Sequence, residues 1–102
     1  MLLKVLDRIT LLGLLPEKGD FTTLKIVRQL REDLSFSEIE HELLSLQQTD
    51  GRLTWNPQAD EGKEVEIGAK ASVLIEDQLK KLDKEKQLTS QHMSVYEMFV
   101  KE

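Results

Sequence analysis

Residues 51–68 read GRLTWNPQADEGKEVEIG, and the interpretation of this stretch decides the fold. Leu53 and Trp55 alternate with Arg52 and Thr54, and Val65 and Ile67 alternate with Glu64 and Glu66. Period-two alternation on both arms predicts two short strands, because successive side chains of a strand point to opposite faces. Asn56-Pro57 stops the first arm and Asp60-Glu61-Gly62 supplies a turn back, so Gly51–Gly68 is expected to be a hairpin with an open loop. Leu53, Trp55, Val65 and Ile67 would then seal one side of a core, leaving Glu64 and Glu66 in water. The stretch carries two basic residues, Arg52 and Lys63, against four acidic ones, Asp60, Glu61, Glu64 and Glu66, a net charge of −2.

The segments on either side have helical period. Before the hairpin, Leu2, Val5, Leu6, Ile9 and Leu12 form one stripe, widened by Leu3, Leu11, Leu14 and Leu15, and ended by Gly13 and Pro16. Such a wide stripe reads as core, with packing against a partner or a second copy as the functional alternative. Asp20 is a suitable N-cap for a second helix, Phe21–Leu34, whose inner face is Leu24, Val27, Leu30 and Leu34. On its other side Lys25, Arg28 and Arg31 recur at spacings of three. They are candidate phosphate contacts; the blander reading is a solvated face with local ion pairs, each worth roughly 0.3–0.5 kcal/mol.

Ser35-x-x-Glu38 and Ser37-x-x-Glu40 both fit a capping box, so a third helix starts at one of the two serines. Phe36, Ile39, Leu43 and Leu46 give it one apolar face, and Gly51 is a plausible C-terminal cap after Gln47–Asp50. The second and third helices make a helix–turn–helix pattern. After the hairpin, Ala69–Lys84 reads as a fourth helix with Ala71, Leu74, Ile75, Leu79 and Leu82 inward, and Lys80, Lys81, Lys84 and Lys86 near its C-terminal end. Thr89 or Ser90 caps a last helix reaching Val100, with Met93, Tyr96, Phe99 and Val100 on one face. That helix either closes the core or forms a dimer contact. The expected architecture is α+β and mostly helical: one domain over residues 1–102, with about five helices, one hairpin and a winged-helix-like arrangement.

Composition removes several chemistries. The chain has no cysteine, which excludes disulfides, thiolate catalysis and Cys-ligated zinc or iron–sulfur clusters. Lys4, Asp7 and Arg8 interrupt the apolar N-terminus, so it reads as neither a signal peptide nor a membrane span, and a cytoplasmic location is expected. Glu38-x-x-His41 resembles half of a di-iron carboxylate site, but Thr89 occupies the matching position before His92. Asp83–Ser94 departs from a calcium loop, with Leu88 where glycine is required and Ser94 where glutamate is. The five glycines do not cluster into a phosphate-binding loop, and no nucleophile elbow is present. No enzymatic activity and no cofactor or metal are expected.

The net charge of −5 repels phosphate backbones on average. The third helix, the one a winged helix would place in the major groove, carries Glu38, Glu40 and Glu42 and no Lys or Arg between Ser37 and Gln48. The leading expectation is therefore a non-enzymatic protein–protein interaction module or self-associating protein, with Trp55, Tyr96 and Phe99 as candidate partner surface. The alternative is a winged-helix DNA-binding transcriptional regulator contacting DNA through Lys25, Arg28 and Arg31.

Two stretches, LLPEKGDFTTLKIVRQLREDLSFSEIE and IGAKASVLIEDQLKKLDKEKQLTSQHMSVYEMF, together resemble a family of small uncharacterised proteins of tailed phages and prophages. The shared features are a Gly-Asp-Phe-x-Thr-Leu-Lys-Ile-Val-Arg run, a Trp-containing strand and a Lys-Lys-Leu-Asp-Lys helix. These are packing and capping residues, so the resemblance implies a mobile-element origin and assigns no catalytic residue.

Overall fold

A computed structural model describes residues 1–100; the last two residues of the expected domain lie outside the described part. Strand β1 (Leu2–Leu3) leads into helix α1 (Val5–Leu14), followed by α2 (Phe21–Leu34) and α3 (Glu38–Leu44). Strands β2 (Gln47–Thr49) and β3 (Arg52–Thr54) come next, then a single 3-10 turn at Pro57–Ala59, and β4 (Lys63–Glu64). Helices α4 (Ala69–Lys84) and α5 (Met93–Phe99) close the chain, with a second 3-10 turn, Ser90–His92, leading into α5. The molecule is α+β and mostly helical, with five α-helices among the described residues.

Each arm of the 51–68 stretch holds a short strand, but the two do not pair with each other, and the alternating Val65–Ile67 of the second arm lies beyond its strand. Arg52–Thr54 runs antiparallel to Gln47–Thr49, and Lys63–Glu64 runs antiparallel to Leu2–Leu3. The hairpin is thus Gln47–Thr54 rather than Gly51–Gly68. Its two-residue turn is Asp50-Gly51, with φ of 52° and 77°. Positive φ at both positions defines the turn whose twist matches that of the flanking strands, and Asp-Gly is among its preferred dipeptides. Gly51 is a hairpin residue, and the helix-ending left-handed position falls earlier, on Ser45 (φ 53°).

Helix α1 is the axis of the core. Leu3, Leu11, Leu14 and Leu15 meet Val27, Leu30 and Leu34 of α2, Ala71, Ile75 and Leu79 of α4, and Val95 and Phe99 of α5. The expected inner stripe was rotated: Leu2 and Leu6 are exposed, whereas the residues assigned to its margin are buried. Leu2 is lost to the stripe because it belongs to a strand rather than to the helix. Val65 is buried and Ile67 packs on the core, but Leu53 and Trp55 are only half-buried and stand outside the core cluster. Only the second arm acts as a lid, because the first arm is tied to β2 and α3.

Helices α2 and α4 have their expected bounds. The Asp20 carboxylate accepts from the Thr23 backbone N–H at 2.7 Å, which lowers its pKa. The start of α1 is capped from far along the chain: the Val5 N–H donates to both Asp60 carboxylate oxygens at 3.2 Å, while Asp7 accepts from the Lys4 N–H. Two carboxylates thus meet the positive end of the α1 dipole. Among the described residues, no helix is long and apolar enough to cross a membrane.

Candidate interaction surface

Arg8 lies on α1 three residues from Val5 and three from Leu11, and its side chain is only 2% exposed. Burying a guanidinium requires partners for its donors and for its charge. Its Nε donates to the Leu34 carbonyl at 3.1 Å and its Nη2 to the Ser35 carbonyl, which satisfies acceptors left over where α2 ends. Nη1 forms an ion pair with Glu40 Oε2, and Nη2 lies 3.3 Å from Glu40 Oε1. The guanidinium carbon sits 4.0 Å from the centroid of the Phe36 ring, a cation–π distance. One side chain of the central helix therefore fixes the end of α2, the α2–α3 turn and the start of α3.

The α3 cap is the Ser37/Glu40 box. Ser37 Oγ accepts from the Glu40 N–H at 3.2 Å, and Glu40 Oε1 accepts from the Ser37 N–H at 3.1 Å. Glu40 thus caps its own helix and binds Arg8 at once. The Arg8 hydrogen bond holds the Glu40 carboxyl down to about 2, from an ordinary value of 4.5, against the opposing effect of burial. Lys63 adds a longer contact at 3.8 Å.

With α3 held in this way, its apolar face does not reach the core. Leu44 is the buried residue of the helix, while Ile39 is 70% exposed and Leu43 is 69% exposed. These two residues are one helical turn apart and present a continuous aliphatic strip. Glu38 and Glu42 are exposed along the same helix. The expected inner face of Phe36, Ile39, Leu43 and Leu46 is therefore corrected: Phe36 and Leu46 are half-buried, and the middle pair faces out. The reason is that α3 is anchored on the neighbouring side, through Glu40 to Arg8 and through the Leu44 carbonyl to the Asn56 N–H at 2.8 Å.

A second exposed strip runs along α2. Phe21, at 82%, is the most exposed of the large hydrophobic residues, and Leu24 is partly exposed beside it. Arg28 and Arg31 continue the same flank, with Lys25 further around, and all three cations are exposed. Leu24, Val27, Arg28 and Arg31 line an open hollow of about 340 Å³ against Pro16 and Glu17. The expected local ion pairs are absent: among the described residues, no carboxylate lies within 4.0 Å of Lys25, Arg28 or Arg31. Leu24, expected inside, stands at the rim of the hollow.

The candidate partner residues Trp55, Tyr96 and Phe99 do not form one exposed face. Phe99 is a core residue, and Tyr96 is half-buried on the same helix, its hydroxyl donating to Asp83 Oδ2 at 3.1 Å. Trp55 is half-buried on the segment following β3. Helix α5 closes the core with Val95 and Phe99, while Met93, expected on its inner face, is exposed. Glu38 and His41 are both exposed, and the His41 ring stands edge-on to Phe36 at 6.5 Å. Sequence reasoning passed over Arg8; the available signal was a cation placed between Val5 and Leu11, three residues from each, in a mostly apolar helix.

No family model, no curated protein and no solved structure matches this chain, so the two strips stand on their own chemistry.

Proposed function

We propose that this is a non-enzymatic protein–protein interaction module of cytoplasmic, phage or prophage origin, binding through the outer face of α3. The observation that carries the reading is the adjacent exposure of Ile39 and Leu43 on a helix locked at its N-terminal end by Arg8 and Glu40. Single exposed aliphatic residues are common on protein surfaces, but two neighbouring ones on a pre-ordered helix supply an anchor with little ordering entropy left to lose. The origin rests on the two stretches that resemble phage proteins. The test is affinity capture from cell extract with the wild-type chain and with Ile39→Ser/Leu43→Ser. Support is a protein, or a second copy of the chain, retained by the wild type and released by the double substitution at unchanged helical content. Equal retention by both chains, or no retention by either, overturns the reading.

A winged-helix DNA-binding regulator is the second reading. It is favoured by the order α2, α3, β2, β3 and by Lys25, Arg28 and Arg31, which have no ion-pair partner among the described residues. Against it stand the acidic residues of α3, which a duplex would repel. Gel shifts at about 50 mM salt, where phosphate contacts are strong, decide between the two. Retardation abolished by Arg28→Glu/Arg31→Glu favours DNA binding, and its absence on every duplex removes it.

A further inference from the structure

Resting on the reading of α3 as a docking face, we infer that its occupant is the α2 strip of a second copy of this chain. The α3 face presents Ile39 and Leu43 with carboxylates at Glu38 and Glu42. The α2 strip presents Phe21 and Leu24 with cations at Lys25, Arg28 and Arg31, none of which has an ion-pair partner among the described residues. Each surface combines aliphatic or aromatic area with charge, acidic on α3 and predominantly basic on α2, where Glu17 is set against Lys25, Arg28 and Arg31. Two α3 faces brought together would set Glu38 and Glu42 against like charges, and two α2 strips would oppose arginines, so pairing a face with its own copy is disfavoured on both sides.

Shape agrees with charge. The hollow beside Leu24 is flanked by Arg28 and Arg31 and is about 340 Å³ in volume, open to receive the Ile39 and Leu43 knobs. The guanidiniums at its edge then meet carboxylates carried one residue before each knob, the arrangement that suits paired Arg–carboxylate hydrogen bonds. Glu17 also lines the hollow and opposes the incoming carboxylates, which keeps the contact modest and salt-sensitive. Such a contact joins two different surfaces of the same chain. It closes into a two-fold pair if both contacts form together, and extends head to tail if only one does.

The experiment is sedimentation velocity on three chains from about 10 μM to about 1 mM, the range in which modest interfaces half-form. The wild type is expected to associate with rising concentration and to dissociate on raising salt from about 50 to about 500 mM. Arg28→Glu/Arg31→Glu and Ile39→Lys/Leu43→Lys, each folded by circular dichroism, are each expected to remain monomeric. Mixed in equal amounts they should form a 1:1 complex, since one retains an intact α3 face and the other an intact α2 strip. A monomeric wild type across the range overturns the proposal while leaving capture of another protein to judge the docking face. Undiminished association of Arg28→Glu/Arg31→Glu overturns it in favour of contact through another surface. A mixture that stays monomeric also overturns it, since loss in both single chains without rescue means that the two surfaces do not meet.

Discussion

Helices α1 and α3 are opposite cases. Helix α1 is buried on most of its circumference and keeps three polar side chains, Asp7, Arg8 and Thr10, out of water. Helix α3 is short, and it leaves two of its largest aliphatic side chains in water. The Arg8–Glu40 pair joins them. Hydrophobic periodicity marks which side chains share a face, but burial depends on which face the surrounding contacts turn inward. In α1 the hydrogen bonds of Arg8 and Thr10 make a polar interior tolerable: Thr10 donates to the Leu6 carbonyl at 2.7 Å and accepts from Gln91 at 3.0 Å. In α3 the same ion pair draws Glu40 toward α1 and leaves Ile39 and Leu43, with Glu38 and Glu42, facing out.

The largest test of this comparison is Arg8→Ala. It leaves the Leu34 and Ser35 carbonyls and the Glu40 carboxylate without their partner, and loss of one member of a buried pair typically destabilises by about 3–5 kcal/mol. Urea denaturation should show that loss, and Arg8→Lys should recover little of it, because an ammonium cannot reach both carbonyls and the carboxylate as a planar fork does. A loss below about 1 kcal/mol would break the view that α1 holds α3 in place.

Acid titration of stability comes next. The folded state holds Glu40 near 2, below its ordinary value of 4.5, so the ionised carboxylate favours folding. Its contribution is present above about pH 4.5 and is lost as pH falls from there through about 2. Glu40→Gln should flatten the stability profile in that window. An unchanged profile would show that the pair does not link the helices energetically.

Gly62→Ala probes how the N-terminal strand is joined to β4. Gly62 has φ of 87°, and an added Cβ would come within 3.0 Å of the Leu2 side chain and 3.3 Å of the Leu3 carbonyl. We expect a loss of about 1–2 kcal/mol in thermal or urea unfolding from the left-handed strain and the contact together. Gly51→Ala has open space around it and only the strain, so it should lose less. Equal losses would mean that backbone strain alone is being read.

The smallest expected effect is on α3 itself. Ile39→Ser and Leu43→Ser should each stay within about 0.5 kcal/mol of wild-type stability, as exposed positions do, whereas truncating a buried leucine such as Leu11 to alanine should destabilise by about 2–5 kcal/mol. A large loss at Ile39 or Leu43 would place them in a folding core and remove the contrast with α1.

Much of this was readable in the chain because the signals are local. Asp20 before Phe21, the run Ala69–Lys84, and Ser37 with Glu40 state their helices through capping and period, which act within one or two turns. The Asp50-Gly51 turn was readable too, since the dipeptide itself favours positive φ at both positions; it was obscured by taking Gly51 as the end of a helix. The docking surface was half legible. Lys25, Arg28 and Arg31 are spaced along one side of a helix, but nothing local distinguishes Ile39 and Leu43 from core residues.

The sequence by itself determined the helical segments, the strand at Arg52–Thr54 and the signs of charge on each face, because propensity, caps and periodicity depend on neighbours a few residues away. Tertiary structure decided strand partners, the rotation of α1 and the outward face of α3. Those depend on contacts such as Leu2 with Glu64, Val5 with Asp60 and Arg8 with Glu40, made between residues at least 32 positions apart, whose free energy exists only once the chain has brought them together.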